Sequence, residues 1–202
     1  MRKSKTETAE TRKRIIATAA EVFLERGLAA TGIADVMAAA GLTQGGFYRH
    51  FESKEQLIAE ASAAAFDMGF EKISQAVAGL PPAEAIGRFV NMYLFQRQCP
   101  GAKLCPLAHL ASELPHTDAN VKAVVDIGHR RTVDFAAGLL QTLQLDDARC
   151  VAEAIVSTML GAVMLARLAL TETAATEILH SAEKTVGLIV HAAADQTRLQ
   201  AA

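Results

Sequence analysis

The chain has no tryptophan and only two tyrosines. Its aromatic character is carried almost entirely by eight phenylalanines. Cysteine is scarce and odd in number. Cys99, Cys105 and Cys150 form no Cys-x-x-Cys pair, which argues against a disulfide framework and for free thiols in a reducing cytoplasm. Long hydrophobic runs are lacking as well. The longest, Ala154 to Ala166, is interrupted by Ser157 and Thr158 and closed by Arg167. A membrane-spanning helix needs about 20 apolar residues, so this run is expected to be a buried helix and no membrane is implied. The N-terminal "MRKSKTETAETRKRI" is basic but has no apolar signal core, so secretion is not expected. Low-complexity tracts and blocks of like charge are missing, which argues against disorder. There is no G-x-G-x-x-G, no P-loop and no G-x-S-x-G, so no cofactor or nucleophile-elbow motif supports an enzyme.

About half of the 202 residues are apolar, alanine is abundant and β-branched runs are short. That composition favours helices over sheets, and with the periodicity along the chain an all-α fold of about nine helices is expected. The first helix runs from about Thr8 to Arg26, with Ile16, Ala19, Ala20 and Phe23 on its apolar face and Gly27 as its stop. A second follows Thr31 as N-cap and carries Ile33, Val36, Met37 and Ala40. Thr43 caps a third, short helix from Gln44 to Phe51. Ser53 and Gln56 form a capping box for a long fourth helix, which ends at the "GLPP" of Gly79 to Pro82. A fifth helix ends near Pro100. A sixth opens at Cys105-Pro106 and ends near Pro115. The seventh is marked by Val121, Val125, Gly128, Thr132, Phe135 and Leu139. The eighth runs from Asp146 or Asp147 to about Leu170, and the ninth from about Ala174 to Asp195.

Charge is unevenly placed. The formal net charge is −2, yet residues 1–14 hold six cations, Arg12 among them, against Glu7 and Glu10. Such a basic arm suits contact with a polyanion, or else a solvated terminus.

The most informative stretch is "GLTQGGFYRHFESKEQL", Gly41 to Leu57. Helices two and three are joined by a tight turn with Gly41 where a left-handed residue belongs. This is the helix-turn-helix pattern, whose second helix enters the major groove of double-stranded DNA. Phe47 and Phe51, four apart, would anchor that helix from behind, leaving Gln44, Gly45, Tyr48 and Arg49 turned away. Gly45 and Gly46 remove side-chain bulk, so the backbone can approach bases and phosphates. Tyr48, His50 and Lys54 can bond phosphate oxygens. Lys54 also sits at a helix start, where anions are favoured. Gln44 suits an adenine edge, and Arg49 a guanine or a phosphate. The same local pattern also fits an ordinary helical hairpin.

The segment from Thr11 to Leu57 resembles the DNA-binding domain of the TetR family of bacterial repressors. The matching pieces are "TRKRIIATAAEVFLERGLAAT" and "IADVMAAAGLTQGGFYRHFESKEQL". Within them Phe23, Gly27, Thr31, Gly41, Gly45, Tyr48, His50, Phe51, Lys54 and Leu57 fall on the family's specific positions. The scaffold helix, Ile33 to Ala40, departs by carrying no Lys or Arg. The resemblance implies a DNA-binding domain over residues 1–52 and a ligand-binding and dimerising domain over 53–202, joined within the fourth helix. It implies a homodimer through the last two helices, a pseudo-palindromic operator and a small-molecule effector. Over 61–202 it is architectural, except for "GAKLCPLAHLASELP", Gly101 to Pro115. That phrase is similar to the "GCPLGNLAAEL" stretch of one large subgroup.

Within the second domain, Phe66, Phe70, Phe89, Met92, Tyr93, His129, Phe135 and Met159 are candidates to line an apolar effector pocket, or else are plain core. Cys105, before Pro106 at a helix start and two residues from Lys103, is placed to favour a thiolate, with His109 one turn on. It is either an electrophile-sensing thiol or a small packing residue, and a transferase built on Cys105 and His109 lacks a third orienting group. Cys99, Cys105, His109 and His116 match no zinc spacing, and no metal or cofactor is expected. Small residues on helices eight and nine (Ala154, Ser157, Gly161, Ala162, Ala182, Gly187, Ala194) would permit close helix packing across a dimer.

Overall fold

A computed structural model describes residues 5–95, 108, 113, 116–145 and 147–200. The described residues form seven α-helices and one 3-10 helix, with no strand among them. Of the sixth expected helix only residues 108 and 113 are described; Cys105 and His109 lie outside the described residues.

Helix α1 (Lys5–Arg26) starts three residues before the expected Thr8. Its buried face is led by Ile15, Ala19, Val22 and Phe23, with Ile16 only half-buried. It stops where Gly27 turns to φ +84° and donates its N–H to Phe23 O at 2.9 Å. Helix α2 (Ile33–Ala39) begins one residue later than expected. Thr31 is not its cap. Gly32 takes that place, and its N–H is held by the Asp35 carboxylate at 2.7 Å.

The end of α2 is a Schellman motif. Leu42 N–H reaches back to Met37 O at 2.8 Å and Gly41 N–H to Ala38 O at 2.9 Å, with Gly41 at φ +70°. The next element, Gln44–Arg49, is a 3-10 helix rather than the expected α-helix to Phe51. Two adjacent glycines give the backbone little reason to hold α geometry. The Thr43 side chain makes no capping bond there.

Helix α3 (Lys54–Val77) is capped as the sequence suggests, with one change. Ser53 Oγ accepts the Gln56 N–H at 3.1 Å, but the Gln56 side chain takes the N–H of Glu52 rather than that of Ser53. After Gly79 (φ +74°), Pro81 and Pro82 open α4 (Pro82–Leu94). Three longer helices follow: α5 (Ala119–Gln141), α6 (Ala148–Leu168) and α7 (Glu172–Gln200). Helix α7 is capped by Thr171, whose Oγ1 accepts the Ala174 N–H at 3.1 Å.

The chain divides into two compact units. One holds the described residues of 1–69 and 105–128. Its core gathers Ile15, Phe23, Val36, Met37, Phe47, Phe51 and Leu57, and Val121 from the first turn of α5 is fully buried among them. The other holds the described residues of 70–104 and 129–202. There α6 and α7 pack along each other and α4 packs on both. Helix α6 is the one helix among the described residues that is long and apolar enough to cross a membrane by length and composition. It buries Ala152, Ile155, Val156, Met159 and Ala166 but leaves Leu165 and Leu168 exposed.

Candidate nucleic-acid interface

The 3-10 helix sorts its residues by row. With three residues per turn, side chains three apart eclipse each other. Gly45 and Tyr48 share one row, and Gly46 and Arg49 another. Gln44, Gly45, Tyr48 and Arg49 are exposed, whereas Phe47 is fully buried. Phe47 stacks on Phe51 at 5.4 Å between ring centroids and stands at right angles to Tyr48 at 5.1 Å. The two phenylalanines therefore hold the element from behind and present Tyr48, 71% exposed, to solvent.

Space around the two glycines differs. A Cβ on Gly46 would touch Met37 Cε at 3.6 Å, an ordinary contact. A Cβ on Gly45 would meet nothing within 4 Å, and Gly45 has no positive φ. Among the described residues, neither packing nor backbone conformation requires glycine at 45.

Other expected contact residues are engaged inside the chain. Arg12 pairs with Glu60 at 2.6 Å, donates from Nε to His50 O at 3.2 Å and lies 4.7 Å from the Phe51 ring centroid. It clasps α1 to α3 and to the end of the recognition turn. Lys54 Nζ donates to Leu28 O at 2.8 Å. Thr31 is only 1% exposed and its hydroxyl donates to Gly27 O at 2.7 Å, so it does not reach the surface. Thr43 is exposed, and His50 is half-buried.

The expected effector residues separate into groups. Phe70, Phe89, Tyr93 and Phe135 form one aromatic cluster, with centroids 5.6 Å apart for Phe89–Phe135, 6.4 Å for Phe70–Phe135 and 6.3 Å for Phe89–Tyr93. Arg131 covers Phe70 at 4.4 Å. Met92 is half-buried on the same helix, α4. Phe66 does not join them. It is buried in the other unit against Gly128. Met159 is fully buried core, and His129 pairs with Glu153 at 3.0 Å. A cleft of about 550 Å³ lies elsewhere, along one face of α7, lined by Glu172, Thr176, His180 and Lys184 among others. It carries charged side chains on its lining and is wide open to solvent, unlike the aromatic cluster.

Sequence reasoning missed Glu60 and Glu113. Their partners lie 48 and about 85 residues away, and no local pattern announces such contacts.

A short helix held by a glycine turn against a second one, with its polar edge exposed, defines a helix-turn-helix protein. Known proteins sharpen this. Residues 15–61 match the family described as "Bacterial regulatory proteins, tetR family". A TetR transcriptional regulator from Chloroflexus aurantiacus, of known structure, is 32% identical, with 90% of this chain and 96% of that one covered at a TM-score of 0.75. The uncharacterised HTH-type transcriptional regulator YerO of Bacillus subtilis is 38% identical over 85 residues, 41% of this chain and 29% of YerO. The HTH-type transcriptional repressor BepR of Brucella suis is 46% identical over 54 residues, 27% of this chain and 26% of BepR. The chain thus spans less than a third of the length of these curated relatives. It belongs to the TetR family.

Proposed function

We propose that this protein is a homodimeric, ligand-responsive repressor, not an enzyme, acting in the cytoplasm on a pseudo-palindromic DNA operator. The observation that carries the reading is the exposed edge Gln44, Gly45, Tyr48 and Arg49, backed by buried Phe47 and Phe51. Bare Gly45 lets a base or phosphate come close to the backbone. Tyr48 bonds phosphate, Arg49 meets phosphate or guanine, and Gln44 reads an adenine edge. Scaffold helix α2 exposes only Ala34, Asp35, Ala38 and Ala39, so base reading rests on the recognition turn.

Residues 1–52 then serve as the DNA-reading part and 53–202 as the effector and dimer part. Two copies joined through α6 and α7 would set their recognition turns about 34–36 Å apart, one turn of DNA. Exposed Leu165, Leu168, Leu188 and Leu199 support that pairing. So do Ala154 and Ser157, which face solvent, whereas Ala162 and Ala182 are already buried within the chain. The effector is a small hydrophobic or electrophilic molecule, received beside the Phe70–Phe89–Phe135 cluster. It must prefer the state in which α3 has shifted and DNA is released, because a ligand with no preference shifts nothing.

The test is a gel shift of the purified protein on the DNA upstream of its own gene and on genomic fragments, over a salt series. Binding by phosphate contacts weakens steeply with salt. No sequence-preferring, salt-sensitive shift with any fragment removes the proposal, and a reporter gene separates repression from activation.

A further inference from the structure

The turn between α1 and α2 is gripped by residues remote in sequence. Glu113 Oε1 accepts the Leu28 N–H at 3.1 Å and Oε2 the Ala29 N–H at 2.6 Å. Lys54 Nζ donates to the Leu28 carbonyl at 2.8 Å. The peptide joining Leu28 to Ala29 is therefore held at both ends, a carboxylate on its N–H and an ammonium on its C=O. Each charge faces the favourable end of that peptide dipole, and charge-assisted bonds are the stronger kind. Space is closed as well: a Cβ on Gly27 would lie 2.7 Å from Glu113 Oε1.

The position matters because of what the turn carries. It feeds directly into Thr31, the Gly32 cap and α2, and α2 packs on the recognition turn. Lys54 is also the first residue of α3, the next helix after that turn. One gripped peptide thus ties α1, α2 and α3 together around the element that presents Tyr48 and Arg49. Glu113 itself occupies no place on the exposed edge.

We propose that Glu113 is a positioning residue for operator binding: it sets the α1–α2 turn, and through it the placement of the recognition turn. This rests on the regulator reading above. Full-length Glu113→Gln keeps the side chain's shape but leaves one accepting oxygen where two now act. Residue-resolved amide exchange is expected to quicken at Leu28 or Ala29 by about tenfold, while Gly27, bonded to Phe23 O, keeps its rate. Operator Kd is expected to rise about tenfold, with the slope against salt unchanged because no phosphate contact is removed. The fraction of active protein, counted by titration far above Kd, should stay that of the wild type. A purely structural role would lower that active fraction and the melting temperature and leave Kd alone.

Exchange rates at Leu28 and Ala29 equal to wild type overturn the inference. So does faster exchange with an unchanged Kd, or a Kd change explained by a reduced active fraction. Glu113→Ala, losing both acceptors, should exceed Glu113→Gln in both readouts; if it fails to fold, Glu113→Gln decides. A wild type that shifts no DNA overturns the regulator reading and this one together. An unaffected Glu113→Gln beside a binding wild type overturns this one alone.

Discussion

Phe66 of α3 and Gly128 of α5 meet so closely that a Cβ on Gly128 would lie 2.3 Å from the ring's Cζ. Phe66 is buried, with 4% of the residue exposed, so the ring cannot simply move out into solvent. Gly128→Ala should therefore destabilise the fold by about 1–3 kcal/mol through overpacking. Phe66→Leu in the same chain should recover part of that loss, a coupling that a double-mutant cycle in urea would measure. Equal stability of Gly128→Ala and wild type would show that the ring or the two helices give way at little cost.

Gly41 and Gly45 should respond in opposite ways to alanine. Gly41 has open space but sits at φ +70°, so Gly41→Ala should cost about 1–2 kcal/mol of stability from backbone strain alone. Gly45 has open space and no positive φ, so Gly45→Ala should keep the melting temperature. Its operator affinity should nonetheless fall, by about tenfold if one close backbone contact is lost. Undiminished binding by Gly45→Ala would mean that nothing approaches this edge.

The two arginines of the DNA-reading unit should separate in a salt series. Arg49 is exposed, and Arg49→Ala should flatten the slope of log K against log salt by about 0.9, the mark of one phosphate contact. Arg12 is turned to Glu60, His50 O and Phe51. Arg12→Met should leave the slope alone and lower stability by about 1–2 kcal/mol, the ion pair being partly screened by solvent. A flattened slope in Arg12→Met would place Arg12 on the DNA surface.

Base preference should respond to Gln44. In a binding-site selection, Gln44→Ala should relax preference at one position of each half-site by about 1–3 kcal/mol. Tyr48→Ala should weaken all sequences alike, having removed a phosphate contact. An unchanged selection profile for Gln44→Ala would assign base reading elsewhere.

What was legible in the sequence was local. The four-residue spacing of Phe47 and Phe51 gave the anchored face. A glycine between two short apolar periods gave the left-handed turn at Gly41. Helix periods and stops fixed most boundaries, because burial of one face imposes its repeat on the chain. The 3-10 character of Gln44–Arg49 was not visible, since apolar spacing over six residues does not tell three residues per turn from 3.6. The intrachain clasp of Arg12 is not legible locally, because its partners, His50 and Glu60, lie 38 and 48 residues on. Charge at a terminus looks the same whether it faces a polyanion or a carboxylate of its own chain. An aromatic stripe does not show where one unit gives way to the next, and Phe66 and Phe70, four residues apart, belong to different units of the fold.

Val121, fully buried among Ile15, Phe23, Met37 and Phe47, bears on how such proteins can be recombined. The part that reads DNA is not a module that ends where its own segment ends, because a residue some 70 positions downstream of the recognition turn fills its interior. A chimera that exchanges residues 1–52 with those of a relative would import a new socket while keeping the old plug. Hybrid regulators made that way should be functional only when the position of Val121 is exchanged, or matched in volume, along with the graft.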